Sequence, residues 1–529
     1  MSAARTLHAE TAARTVPRGT VAALTAVVLV GGLLRLSGLG AEPLWLDEAF
    51  SWRWAHLPLA DLWGPAAATE TNPPLWFTLE RLVLATLGDG EAMLRLPAAS
   101  FGILAVPLAF LVGRALAGSG AGLAAAALVA TDPLLVAYSQ EARGYALLVA
   151  GTLLLLWAVA TFFGPREDRR TADIAAGWGG VPSLFPPVAA YAVGGAAVLW
   201  AHNTGPLLLL LVNLTASVLW IEHRRSEIRL ALAWLAANLV AALPWLVLWV
   251  PILLSQAGDA VNVGWIRQPS PGAALLATGR LFGPHNLPLD SVVDAAIGFV
   301  LIGLAGWAVL RLGRPALAAA AVAFGLPILA YLSGLVVRPI WIERALLPAL
   351  AAGLVLAAIG LVRLLPGRTA TVAIAALVSV RLADLAAWYA WPQKLAWPEA
   401  VEFVARESRP GDAVLIAPHF YHWLWAYYAA RADVALPVLG IVVGPPPPLA
   451  APRIEPVDRG FDLVEPGALE DRLAGHPRAW LLVYKRRGGD PGGILANLAA
   501  IGRLEPYVRF EGAWDQGELE IFSWLRTEP

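Results

Sequence analysis

Apolar runs of about 18 to 25 residues recur along the chain almost without pause as far as residue 391, each long enough to cross a bilayer. They fall near 21–38, 96–117, 120–138, 144–163, 176–200, 204–221, 230–253, 291–310, 316–336, 345–363 and 369–391, which predicts about eleven membrane spans. Arg5, Arg14 and Arg18 precede the first run as they would a secretory signal, but no small-x-small cleavage site follows and further spans do. It reads as a retained anchor. Arginines mark every second connection: Arg114, then Arg166, Arg169 and Arg170, then Arg224, Arg225 and Arg229, then Arg311 and Arg314, then Arg363 and Arg368. The positive-inside rule makes those connections cytoplasmic.

That alternation puts the amino terminus inside and three long segments outside: 39–95, 254–290 and everything after 392. The last segment has a different pattern. Charged residues return, and short elements replace long runs: a helix-like WPEAVEFVARES (397–408), a PGD turn (410–412) and a strand-like AVLIAP. A proline run at 445–448 stiffens a connection, and AWLLVYK (479–485) and the stretches around Tyr507 and Ile521 read as further strands. The expected architecture is a polytopic α-helical membrane protein: a cytoplasmic segment 1–18, a membrane domain 19–391 with its first outer loop at 39–95, and a small extracytoplasmic α/β domain over 392–529.

Composition agrees. Of 529 residues, 58% are hydrophobic and 15% charged, with a mean hydropathy of +0.63, whereas a soluble surface needs about a quarter charged. Lys+Arg of 38 against Asp+Glu of 39 removes nucleic acid as a bulk partner. The absence of cysteine excludes disulfides, thiolate zinc sites and cysteine nucleophiles. Tryptophan, at 23, outnumbers Phe and Tyr, as expected where amphipathic rings sit at a membrane interface or flank a sugar. There is no GxxxxGK[ST], HExxH or GxSxG, which argues against an ATP-driven pump, a zinc protease, an α/β-hydrolase and a nucleotide cofactor.

The residual chemistry gathers at the outer ends of spans. AEPLWLDEAFSWRW (41–54) sets Asp47 and Glu48 among Trp45, Phe50, Trp52 and Trp54; lost solvation raises carboxylate pKa values and makes one of the two a usable general base. In ETNPPLWF (70–77), two prolines present Asn72 or Glu70 from a stiff turn. DPLLVAYSQEARGYAL (132–147) crowds Tyr138, Gln140, Glu141, Arg143 and Tyr145 at the mouth of two spans. An outer arginine opposes the positive-inside trend, so Arg143 calls for an anionic ligand or a partner such as Glu141 or Asp132. RPIWIERALLPAL (338–350) repeats the situation with Arg338, Glu343 and Arg344, and two outer arginine sites point to a bound phosphate. His202 at the end of the fifth run is a metal-ligand type that more often bonds a carbonyl, and His419 and His422 read as structural.

WLDEAFS, NPPLW, YSQEARGYAL and ERALLPAL, in that order, resemble the polyprenyl-phosphate-sugar-dependent glycosyltransferases of the GT-C fold. The likeness is greatest to bacterial members related to dolichyl-phosphate-mannose protein mannosyltransferases and to the lipid A aminoarabinose transferase, and it covers residues from about 20 to 365. It implies an inner-membrane hexosyl- or pentosyltransferase that moves a sugar from a polyprenyl-phosphate donor to an extracytoplasmic lipid, glycan or protein. Asp47 takes the place of the family's catalytic acid, with Glu48 its neighbour. Arg143 and Arg344 match the family positions that meet the donor phosphate, and Arg338 joins them as a phosphate-binding candidate. Asn72 departs from the pattern, since many relatives carry a histidine or lysine there. A divalent metal bound by some relatives would fall to Glu70 and His202. Tyr138, Gln140, Glu141, Trp45 and Trp52 complete the expected substrate contacts. The competing class is a transporter or flippase, which would place ionisable groups near the midplane and show matched halves; neither is visible.

Overall fold

A computed structural model describes residues 17–526 except 65, 69, 164–184, 224–227, 257–265, 444–461, 486–490 and 512–516. Arg166, Arg169, Arg170, Arg224, Arg225 and the proline run therefore lie outside the described residues. The helices in chain order are α1 (Arg18–Leu36), α2 (Leu46–Ala55), α3 (Leu75–Leu87), α4 (Glu91–Ala117), α5 (Ser119–Thr131), α6 (Tyr145–Phe162), α7 (Phe185–Ala201), α8 (Gly205–His223), α9 (Ile228–Leu248), α10 (Pro271–Phe282), α11 (Ser291–Leu312), α12 (Arg314–Val336), α13 (Leu347–Leu364) and α14 (Gly367–Ala390). Among the described residues eight helices are long and apolar enough to cross a membrane. Shorter apolar helices at α5, α7 and α8 stand where the remaining expected spans lie.

The third expected run is the one that breaks. α5 stops at Thr131 because Asp132 turns extended and caps a new short helix, accepting a hydrogen bond from Leu135 N at 3.0 Å. Two hairpins close on single glycines, Gly118 (φ 89°) and Gly313 (φ 62°), in a backbone region that disfavours side chains. α13 lies at the centre, almost wholly buried. Its Ala and Gly positions let neighbours approach closely, and a Cβ on Gly360 would meet Leu304 O at 2.1 Å. α1 and α9 instead leave Leu29, Leu33, Leu239, Val240 and Val247 exposed, a surface suited to lipid.

After α14 the chain forms a six-stranded sheet of order β3-β2-β1-β4-β6-β5, with β1 (Ala413–Ala417), β2 (Val438–Ile441), β3 (Asp462–Val464), β4 (Arg478–Lys485), β5 (Arg503–Glu511) and β6 (Glu518–Leu525). The first four strands in that order are parallel and the last two pairings antiparallel. β1 is buried along its whole length, and its side chains divide by period two. Ala413, Leu415 and Ala417 face a core capped by Ile494 and Leu498, whereas Val414 and Ile416 join the core shared with the helical unit. The strands expected at β1, β4, β5 and β6 are present, and β2 and β3 are two further short strands that were not among those expected.

α15 (Trp397–Glu407) and α16 (His422–Arg431) lie between the sheet and α2. α15 buries Trp397, Ala400, Val401 and Val404, one face at helical spacing. α16 stacks on α2 through Phe50–Trp423 at 4.8 Å and Trp52–Tyr427 at 5.1 Å, and Tyr428 Oη accepts from Leu44 N at 2.6 Å. The sheet unit is thereby fixed over the loop that carries Asp47.

Candidate active site

The segments 38–47, 70–72, 138–145, 202–204 and 338–345 meet beside the sheet unit. There they enclose a cavity of about 770 Å³. Its wall includes Trp45, Asp47, Glu70, Asn72, Arg143, Tyr145, His202 and Arg344, together with side chains from the sheet unit. Segments far apart in sequence thus supply one site, and most of the residues singled out in the sequence line it.

Two ion pairs face the space. Arg344 stands 3.7 Å from Asp47, and Arg143 stands 3.6 Å from Glu70. Both separations exceed a tight charge-assisted hydrogen bond. Glu70 is held by Asn72 N at 3.2 Å and Thr71 Oγ1 at 3.3 Å, and burial raises its pKa despite Arg143. The partner foreseen for Arg143 is corrected: neither Glu141 nor Asp132 pairs with it, and Asp132 is bound by Arg381 from α14.

Glu48, one residue on, has the opposite surroundings. It is fully buried and accepts from Arg95 Nε at 2.7 Å, Arg95 Nη2 at 2.8 Å, Lys394 Nζ at 2.7 Å and Ala142 N at 3.1 Å. Burial alone would favour its neutral form, but Arg95 and Lys394 outweigh it and the pKa falls to about 2. A raised pKa was expected for a carboxylate here, and for Glu48 the reverse holds. Its bonds tie α2 to α4, to the YSQEARGY loop and to the segment after α14, and it does not line the large cavity. Lys394 was not singled out in the sequence. A signal existed, since the chain has two lysines, Lys394 and Lys485, and uses arginine everywhere else.

A second cavity of about 270 Å³ adjoins the first and shares Trp45 and Arg344 with it. Tyr138, Gln140, Glu141, Glu42, Gln393 and Lys394 line it. Tyr138 Oη donates to Glu343 at 3.3 Å, and Gln140 Nε2 donates to Ser37 O at 2.9 Å and Leu34 O at 3.0 Å, so Gln140 also ties α1 to this loop. Burial, aided by Glu48 and Asp47, pushes Glu141 up to about 7 against Lys394 and Arg344.

Two expected contacts fall elsewhere. Trp52 lines neither cavity: its Nε1 donates to Asp89 at 2.8 Å and its ring packs on Tyr427. Arg338 also lines neither, because the helix ends at Val336 and the chain turns back through Ser333, whose O accepts from Arg338 N. The Glu70 and His202 pair does not fit a divalent metal. His202 Nδ1 already accepts from Thr204 N at 3.1 Å, which puts the ring proton on Nε2 and leaves neither nitrogen with a free lone pair. Two guanidinium groups beside the pair oppose a further cation, and among the described residues no group of three His, Asp or Glu converges.

The helical bundle capped by a mixed sheet has the GT-C fold. Within that class the chain is similar to ArnT from Cupriavidus metallidurans bound to undecaprenyl phosphate, at 17% identity and a TM-score of 0.56, covering 96% of this chain and 98% of that one. The apo state of the same protein aligns at 16% identity and a TM-score of 0.56, covering 95% and 98%. No family model matches the chain, and no curated protein matches it by sequence.

Proposed function

We propose that this chain is an integral-membrane glycosyltransferase that takes a sugar from a polyprenyl-phosphate donor and passes it to an acceptor hydroxyl outside the cytoplasm. The observation that carries the reading is the meeting of Asp47 with Arg344 and Arg143 in one cavity at the ends of membrane helices. The ArnT-like fold, seen there with undecaprenyl phosphate, supports the donor class.

In this reading the prenyl chain leaves along Ile266, Ile340 and Ile342, which line the same cavity. The donor phosphate takes Arg143 and draws Arg344 away from Asp47. Asp47, released from its pair, accepts the proton of the acceptor hydroxyl as the oxygen attacks the anomeric carbon. The anomeric carbon–oxygen bond breaks and its electron pair leaves with polyprenyl phosphate, whose charge the arginines stabilise. A single displacement inverts the anomeric centre.

The test uses purified full-length chain in vesicles with undecaprenyl-phosphate-linked hexoses and pentoses, reading release of undecaprenyl phosphate and the anomer formed. Asp47→Asn is expected to lower transfer by about a hundredfold to ten-thousandfold without lowering thermal stability. An Asp47→Asn chain that transfers at the parent rate would remove the assigned base.

A further inference from the structure

The two sides of the large cavity differ in kind. Every charged side chain on its wall, Asp47, Glu70, Arg143 and Arg344, belongs to segments that join membrane helices. The part of the chain after the last of those helices contributes Leu395, Trp397, Phe420, Tyr421, Leu424 and Tyr484. Four of these six are aromatic and none is charged.

The rings form one continuous run. Trp397 stacks on Tyr421 with centroids 5.8 Å and planes 12° apart, and Tyr421 stacks on Tyr484 at 4.5 Å and 28°. Phe420 flanks Tyr421 at 5.2 Å and is 38% exposed, an apolar ring left uncovered at the cavity. Trp397 is 1% exposed, and its Nε1 has no hydrogen-bond partner among the described residues. A buried indole N–H without an acceptor costs stability unless something fills the role. The rings are held from two directions, Trp397 by the first turn of α15 and Tyr484 by the end of β4.

Rigid flat rings with a polar handle bind a pyranose well, since the C–H face of the sugar packs on the ring and its hydroxyls meet the N–H or O–H, at little cost in side-chain entropy. An anionic headgroup would require guanidinium or ammonium groups on the same wall, and there are none. A peptide acceptor in an extended form would seek backbone hydrogen bonds from a free strand edge. This wall instead offers side chains from a helix start, a turn and the last residues of β4, a strand paired to β6 through Lys485 and to β1 as far as Val483.

We propose that this aromatic wall is the acceptor subsite and that it takes an uncharged sugar ring, carried by a soluble or polymeric glycan or by a glycolipid headgroup. The proposal rests on the glycosyltransferase reading above and names its acceptor class. The acceptor hydroxyl lies between the wall and Asp47; its oxygen bonds to the anomeric carbon of the donor sugar, its proton passes to Asp47, and polyprenyl phosphate departs with the electron pair.

The test reads binding and transfer separately on the full-length chain in vesicles. Saturation-transfer NMR with neutral mannosyl, glucosyl, galactosyl and arabinosyl oligosaccharides reads binding. Transfer is read with the same sugars in solution, with the same sugars on diacylglycerol, with a phosphorylated glucosamine disaccharide lipid, and with a Ser/Thr-rich peptide. A neutral sugar is expected to bind and to accept, and Phe420→Ala and Tyr484→Ala are each expected to raise its KM about three- to tenfold with kcat held. Acceptance of the soluble sugar assigns a glycan, and acceptance only on diacylglycerol assigns a glycolipid. Transfer to the phosphorylated lipid or the peptide alone, or an acceptor KM unmoved in both variants, would overturn the proposal. A neutral sugar that binds through these rings while no donor is ever consumed would overturn the glycosyltransferase reading and leave the sugar subsite standing.

Discussion

Two charged regions meet at the first turn of α2, and they are built on different terms. Around Glu48, contacts of 2.7 to 2.8 Å to Arg95 and Lys394 are sealed from solvent and every carboxylate oxygen is used. Around Asp47, the pairs stand 3.6 to 3.7 Å apart, and the Asp47 side chain is 26% exposed into a cavity. A saturated buried cluster cannot re-pair without leaving charges stranded, whereas a loose pair beside open space can exchange its partner for a ligand. Adjacent acids in one motif thus carry different work: Glu48 holds the loop, and Asp47 is left available by it.

The largest effect should come from breaking the tight region. Glu48→Gln strands Arg95 and Lys394 without their counter-charge, and a loss of about 3–5 kcal/mol in stability is expected, read as a lowered unfolding midpoint. The pH dependence has a defined sign. The Glu48 pKa drops from 4.5 to about 2 on folding, so its contribution is full above the unfolded value and is lost as pH falls through about 2. The shift corresponds to roughly 3 kcal/mol. If Glu48→Gln folded as stably as the parent and lost transfer as Asp47→Asn does, the division between the two regions would fail.

A smaller effect is expected in the loose region. Arg344→Ala removes the partner of Asp47 and the cation common to both cavities. Donor affinity should fall about tenfold to a hundredfold, in line with about 1.5–3 kcal/mol for a hydrogen bond to a charged group. Its stability should change by less than about 1 kcal/mol, because a pair 3.7 Å apart with both side chains partly exposed contributes little. The measurement is inhibition by undecaprenyl phosphate, and an unchanged inhibition constant would take Arg344 out of the donor site.

The contrast also marks what a single sequence can tell. Membrane helices were legible because a bilayer demands some twenty apolar residues in a row, whereas the third run read as unbroken from 120 to 138 and is stopped at Thr131 by the Asp132 cap and Pro133. Asp47, Arg143 and Arg344 were legible as scarce charges at span ends. The partners were not. Lys394 lies 346 residues from Glu48, and nothing local in WPQKLAW reports that contact. Arg143 finds Glu70 across a loop, where nearer acids such as Glu141 and Asp132 looked better placed. The aromatic wall was hidden for another reason, since Trp and Tyr in a small α/β unit read as core until the cavity beside them is seen.

Glu141 offers the finest test, because it lies in the small cavity between the two regions and near the cations of both. With its pKa pushed up to about 7, it is neutral on the acid side and anionic on the basic side of physiological pH. As pH rises through 7, a new negative charge appears in the cavity that also contains Arg344, and it competes with a donor phosphate for that guanidinium. Donor KM is therefore expected to rise about three- to tenfold between pH 6 and pH 8, on the order of 1 kcal/mol. Glu141→Gln, fixed in the neutral state, should hold the low value across the range while keeping the cavity's shape. A wild-type donor KM flat over this range would mean that Glu141 does not reach the loose region, and a slope that survives in Glu141→Gln would assign the titration to another group.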